Sequence, residues 1–143
     1  MAWNAITTAP AAELTLGTSW AVTAGVVPLD GRPHAVTGSI DGLVRVWDLT
    51  TCAQTRELVG HSGPARAVAV VELNGRPHAV TGGDDGTVRV WDLTTGTCLT
   101  TFHCPAPVSA LAVTTTSAVA SVVVGFGHEV AVFALSTLKG SPL

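Results

Sequence analysis

Lys139 is the only lysine of the chain, against six scattered arginines, and the formal net charge is −3. No basic run or stripe is left to neutralise a row of phosphates, which argues against nucleic acid as a partner. Cysteine is scarce too. Cys52, Cys98 and Cys104 are odd in number and form no Cys-x-x-Cys pair, so neither a disulfide framework nor a zinc site is indicated. The N-terminal MAWNAITTAPAAEL lacks the positive start and apolar core of a secretory signal. No segment reaches the roughly 18 uninterrupted apolar residues that a membrane-crossing helix needs. In the most apolar part, Val108 to Phe126, the run is broken by Ser109, Thr114, Thr115, Thr116, Ser117 and Ser121. It reads as two buried strands and a turn, in a cytoplasmic protein without a membrane partner.

What the chain does have is a repeat. GRPHAVTGSIDGLVRVWDLTT, Gly31 to Thr51, returns 44 residues later as GRPHAVTGGDDGTVRVWDLTT, Gly75 to Thr95, with three positions changed. A period of this length that closes on Trp-Asp marks a β-propeller blade. Blades also account for the composition, 47% apolar and 12% charged with a mean hydropathy of +0.46. Each is a small sheet covered on both faces, so its strands need not alternate apolar and polar.

The register extends over the whole chain. Trp3-Asn4 falls on Trp47-Asp48, and Glu13-Leu14 on Glu57-Leu58. The C-terminal third is a worn copy: Val130, Val132, Phe133 and Leu135 stand for Val88, Val90, Trp91 and Leu93, with two residues lost and Ala134 in place of the aspartate. The chain therefore divides into a partial repeat over 1–18, repeats over 19–62 and 63–106, and a degenerate repeat over 107–143.

Within the middle repeat, β signals place strand a near Ala65 to Val71, b at His78 to Thr81, c at Thr87 to Trp91 and d at Cys98 to Phe102. The preceding repeat gives Trp20 to Val26, His34 to Thr37, Val44 to Trp47 and Gln54 to Val59. The last gives Val108 to Val113, Val119 to Val124 and Glu129 to Phe133, and Ala11 to Leu16 is a strand d standing alone. No helix is indicated, because the apolar period is two and glycines punctuate it.

GHSGPARAVAV (Gly60 to Val70), TGGDDG (Thr81 to Gly86) and VRVWDL (Val88 to Leu93) resemble the Gly-His, strand-b and Trp-Asp signatures of WD40 repeats, in the manner of bacterial arrays. The resemblance covers nearly all of the chain. It implies an all-β, partial WD40 β-propeller of about three four-stranded antiparallel blades, with the N-terminal strand d completing the last blade as WD40 rings close. Rings hold about four to eight blades, and three would have to turn roughly 120° from one to the next, more than packed sheets tolerate. Either copies associate to complete a ring as a homo-oligomer, or the chain is part of a longer protein.

The resemblance also implies a structural tetrad of His61, Thr81, Asp85 and Trp91. Indole N–H donates to the hydroxyl, the hydroxyl to the imidazole, and the second imidazole N–H to the carboxylate. A hydrolase triad shares these residue types, but a hydroxyl inside a strand and aimed at a Trp suits a structural device, and no enzyme is expected. The first blade keeps Thr37, Asp41 and Trp47 while Gly17 holds the histidine register, so Asp41 is expected to matter less than Asp85. In the last blade Cys104 and Phe133 take the histidine and tryptophan positions, with His103 one residue away. His34 and His78, each in an Arg-Pro-His triplet, and His128 lack further ligands nearby, so no metal is expected. The turns TGSIDG and TGGDDG are acidic and lack a P-loop lysine, so no cofactor is expected either.

WD40 partners dock on the face bearing the d–a and b–c loops. By register the candidate partner-binding residues are Trp20, Val22 and Ile40 in the first blade, Pro64, Arg66 and Asp84 in the second, and Pro107 and Ser109 in the last. Trp20 and Arg66 are the best anchors, since a large ring and a guanidinium gain most on desolvation. The function implied is a non-catalytic protein–protein interaction scaffold. The alternative is a fragment or remnant of a larger WD40 regulator, such as a kinase- or ATPase-fused array, without independent function.

Overall fold

The computed structural model describes Leu14, residues 19–116 and residues 119–136. Eleven strands occur among these residues, and no helix. β1 (Ala21–Leu29), β2 (Arg32–Ser39), β3 (Val44–Asp48) and β4 (Ala53–Leu58) form one sheet in chain order. β5 (Ala65–Leu73), β6 (Arg76–Gly83), β7 (Thr87–Asp92) and β8 (Thr97–His103) form a second, and β9 (Val108–Thr115), β10 (Val119–Phe126) and β11 (Glu129–Ser136) a third. All pairings are antiparallel. The chain is thus an all-β, open partial propeller of three sheets, the third with three strands among the described residues. The strand expected over Ala11 to Leu16 lies, Leu14 apart, outside the described residues, as do Trp3 and Gly17.

Strands a and b run longer than the sequence pattern suggests. The two-residue turns Asp30-Gly31 and Asn74-Gly75 take positive φ at both positions, 52° and 74° in the first and 53° and 71° in the second. That mirror-image turn matches strand twist and keeps the hairpin paired to its tip. Pairing accordingly runs out to Leu29↔Arg32 and Leu73↔Arg76.

The second sheet is buried on both faces. Ala65, Ala79, Trp91 and Leu93 pack against Val27, Val36, Val44, Val46 and Leu58 of the first sheet. On the other side Val71, Leu73, Val80, Val88 and Val90 meet Val108, Ala120, Val122, Val124, Phe126 and Leu135 of the third. Phe102 stacks on Phe133 across this seam at 4.6 Å. Burying a Val or Leu contributes about 1.5–3 kcal/mol, so these two seams hold the stack together. The far side of the third sheet differs. Val130 is 71% exposed and Val132 65%, although their counterparts Val88 and Val90 are fully buried.

Candidate functional site

The loop before β5, the end of β6, the β6–β7 turn and β7 bring His61, Thr81, Asp85 and Trp91 into one chain of hydrogen bonds. Trp91 Nε1–H donates to Thr81 Oγ1 at 2.8 Å, and that hydroxyl lies 2.7 Å from His61 Nε2. His61 Nδ1 is 3.2 Å from both carboxylate oxygens of Asp85. With Nδ1–H facing a carboxylate, Nε2 is the acceptor for the threonine hydroxyl. Thr87 is a fifth member that register alone did not reveal. Its hydroxyl donates to Asp85 Oδ1 at 2.8 Å and its backbone N–H donates to the same oxygen at 3.0 Å. Ser62 N–H reaches Asp85 Oδ2, also at 3.0 Å. The spacing Asp-Gly-Thr is the signal, because an Asp side chain readily bonds backbone two residues on.

Burial disfavours a charged carboxylate at Asp85, yet the Thr87, Ser62 and His61 hydrogen bonds outweigh it and hold the group at about 2. For His61, desolvation dominates, and the nearby Arg89 charge adds to it; together they push the imidazole below its ordinary value against the pull of Asp85. The imidazole is therefore kept neutral as a hydrogen-bond relay. Thr81 is wholly buried and already engaged by indole and imidazole, so no substrate atom can approach its hydroxyl.

The first sheet solves the same problem without an imidazole. Trp47 Nε1–H still donates to Thr37 Oγ1, at 3.0 Å. Asp41, however, is bound by the guanidinium of Arg45 at 2.6 Å and by the Ser39 hydroxyl at 2.8 Å, and Arg45 Nη1 donates to Ser39 Oγ at 2.6 Å. Arg45 is buried, and its hydrogen bonds foremost hold the Asp41 carboxyl far below the usual carboxylate range. Thr37 and Asp41 are consequently not linked as members of one network; Asp41 has partners of its own in Arg45 and Ser39, so the missing histidine alone no longer implies that it matters less than Asp85.

The two solutions exclude each other. A β-carbon on Gly83, which matches Ser39, would fall 2.7 Å from the Pro64 carbonyl oxygen and 3.1 Å from His61 Nδ1. Glycine thus admits the histidine, and serine replaces it. Arg89, in the register of Arg45, turns instead toward Thr101 Oγ1 at 3.5 Å. In the register of the last blade the Phe133 side chain has no N–H to donate; Cys104, just after β8, is half-buried with its backbone N–H on Gly86 O at 2.7 Å, and His103, at the end of β8, is exposed.

At the opposite end of the sheets, the Arg-Pro-His triplets make a second repeated network. His34 and His78 lie 2.9 and 2.8 Å from the Arg32 and Arg76 carbonyl oxygens through Nδ1. The arginines pair with the aspartates of the Trp-Asp motifs, Arg32–Asp48 at 3.0 Å and Arg76–Asp92 at 2.6 Å. Each aspartate also accepts the N–H of the threonine two residues on, at 2.8 Å. These groups bind one another, and Arg32, His34, Asp48 and Arg76 also line one cavity between the first and second sheets.

The loop-bearing ends of the first two sheets carry contrasting surfaces on matched backbone. Ile40 N–H donates to Trp20 O at 2.9 Å, and Asp84 N–H to Pro64 O at 3.0 Å. In the first sheet the side chains are apolar and open, with Trp20 73%, Ile40 42% and Val22 39% exposed. Trp20 therefore does not pack between sheets in place of a histidine. In the second sheet, Arg66 makes a two-pronged ion pair with Asp84, Nε at 3.1 Å and Nη2 at 3.0 Å. The patches adjoin, because the turn at Gly42 packs against the carbonyls of His61 and Gly63. Pro107 and Ser109 of the third sheet are exposed too, and Ser109 Oγ lies 3.4 Å from Gly125 O.

Stacked four-stranded antiparallel sheets in a repeating Trp–Thr register define a β-propeller repeat protein. The family model described as WD domain, G-beta repeat matches residues 18–48 and 51–92, just over half of the chain, and the chain belongs to the WD40 family. Repeats of this family generally mediate protein–protein interaction. No curated protein matches the chain.

Proposed function

We propose that the chain is a non-catalytic scaffold that binds a protein partner on the face formed by Trp20, Val22, Ile40, Pro64, Arg66 and Asp84. The supporting observation is where the two near-identical blades differ. Backbone geometry is shared, but the matched positions carry the exposed Trp20, Val22 and Ile40 in one blade and the half-buried Pro64 and Asp84 with the exposed Arg66 in the next. An open aromatic and aliphatic patch beside a charged pair is the composition of a docking surface. The buried networks beneath it fix the loops, and a cytoplasmic setting, without nucleic acid or metal, belongs to the same reading. No helix among the described residues is long and apolar enough to cross a membrane.

A photo-crosslinking residue at position 40 is the test. It should capture a discrete protein from the native cell extract, and Trp20→Ala should abolish the capture. A crosslinker at Thr51, exposed in the β3–β4 turn at the opposite end of the first sheet, should capture none of it. Equal capture from both positions would overturn the reading.

The exposed Val130 and Val132 favour a further element, completion of the open arc by a second copy. A longer array that covers the same valines within one chain is the competing reading.

A further inference from the structure

We propose that the cavity between the first and second sheets, at the end opposite the loop-bearing face, binds an extended peptide segment of a second protein partner. That segment carries a basic and an acidic residue four positions apart. The site is separate from the face proposed above and does not rest on it.

The sequence builds the walls twice. Asp30-Gly31 and Asn74-Gly75 are the same turn in consecutive blades, and each keeps its hairpin paired to the tip. Residues of both tips line the cavity, Leu29, Asp30 and Arg32 from one and Gly75, Arg76 and Pro77 from the other. Its volume is about 1030 Å³, at the upper end for ligand sites, which run from about 300 to 1,000 Å³. The buried Val27, Val46 and Leu93 give it apolar surface.

Part of the polar lining is committed to the protein and part is not. Arg32 and Arg76 are matched by Asp48 and Asp92. Asp30, Glu72 and Arg56 are exposed and have no ion-pair partner among the described residues. Arg56 gives an Nη2–H to the Thr94 carbonyl at 2.9 Å, and the rest of its fork is open. His34 adds a buried acceptor, its side chain being only 9% exposed. Nδ1–H donates to the Arg32 carbonyl, so Nε2 offers a lone pair. It stands 4.0 Å from Asp48 Oδ2, beyond hydrogen-bond reach, and has no partner among the described residues. A buried acceptor without a donor suits a ligand that brings one, and a peptide backbone N–H is such a donor.

The free charges are sorted across the sheet. Asp30 follows β1 and Glu72 lies on β5, the inner strands, whereas Arg56 lies on β4, the outer strand of the first sheet. A lone anion would meet two carboxylates, and a lone cation a guanidinium. A segment with one charge of each sign complements both ends. Three strand spacings, roughly 14 Å, separate the inner strand from the outer, and an extended chain covers that in about four residues. Side chains at i and i+4 of such a chain point to the same side, so both charges reach the protein together, the basic one inward.

A displayed library of random short peptides is selected on the Trp20→Ala chain, which lacks the aromatic anchor of the loop face, and the enriched peptides are synthesised and titrated. The expected family carries Lys or Arg and Asp or Glu four positions apart, and binds about tenfold more weakly to Arg56→Glu and to Glu72→Lys. A chain with Asp30→Asn, Arg56→Glu and Glu72→Lys together should regain the affinity for a peptide whose two charges are exchanged, which also shows that the altered chain is folded. Peptides that bind every variant alike, carry charge of one sign, or fail to follow the exchange would overturn the proposal, as would the absence of any enriched peptide. None of these results bears on the loop face, which the crosslink at position 40 tests by itself.

Discussion

Asp85 and Asp41 hold the same register and meet different donors, a neutral imidazole in one blade and a guanidinium in the other. Removing either carboxylate strands a buried partner, so Asp85→Ala and Asp41→Ala should each lower stability by about 1–3 kcal/mol. Urea midpoints check this, and an unchanged midpoint for Asp41→Ala would contradict the Arg45–Ser39 network. Gly83→Ser places a side chain against the Pro64 carbonyl and His61, and should cost about 1–3 kcal/mol, whereas serine at position 39 is already accommodated. Acid sensitivity belongs to the same network. His61 has a folded pKa below its unfolded value, so unfolding takes up a proton and stability falls as pH drops through about 6.5. The His61 contribution to the slope should approach, at most, about 1.4 kcal/mol per pH unit. Asp85, held at about 2 against 3.8, contributes stability that is present above 3.8 and lost as pH falls toward 2. Comparing urea midpoints of the chain and of His61→Gln from pH 8 to pH 5 isolates the imidazole. Parallel curves would contradict its role.

At the scale of the element, strands and turns were legible because the period repeats and the β signals alternate with glycine and aspartate. The ends of strands a and b were not, since the paired positive-φ residues Asp30-Gly31 and Asn74-Gly75 extend the hairpins past the apolar run. The site was readable where side chains follow family register, as in the second blade. It was unreadable in the first, where Ser39 and Arg45 stand in for an imidazole, because a substitute contact depends on three-dimensional reach and not on position. The three changes between the repeat copies, Ser39/Gly83, Ile40/Asp84 and Leu43/Thr87, gain meaning only once the turn is seen in space. Packing between sheets carries a similar hidden demand. A β-carbon on Gly82 would lie 2.4 Å from Val108 Cγ1, and one on Gly38 2.8 Å from the Ala65 carbonyl oxygen. Strand b must therefore be bare where the next sheet's inner strand crosses it. Gly82→Ala should force the second and third sheets apart and cost about 1–3 kcal/mol, read as a lowered thermal midpoint. A midpoint equal to that of the parent would show that the seam is looser than described.

On the scale of the whole molecule, the second sheet has the burial of a propeller interior on both faces, while the third offers valines of the same kind to solvent. Apolar sheet exposed in this way invites association. The proposed docking face and the exposed valines lie at different places, one on the loops of the first two sheets and the other on β11, so the proposal lets partner binding and self-association proceed together.

The most direct measurement is the solution mass of the full chain, by light scattering on a sizing column. The account predicts a discrete species of twice the 14.5 kDa chain mass, with β-sheet circular dichroism and no dependence on concentration in the micromolar range. A folded monomer at those concentrations would contradict it, leaving the arc open and the exposed valines without the role assigned to them.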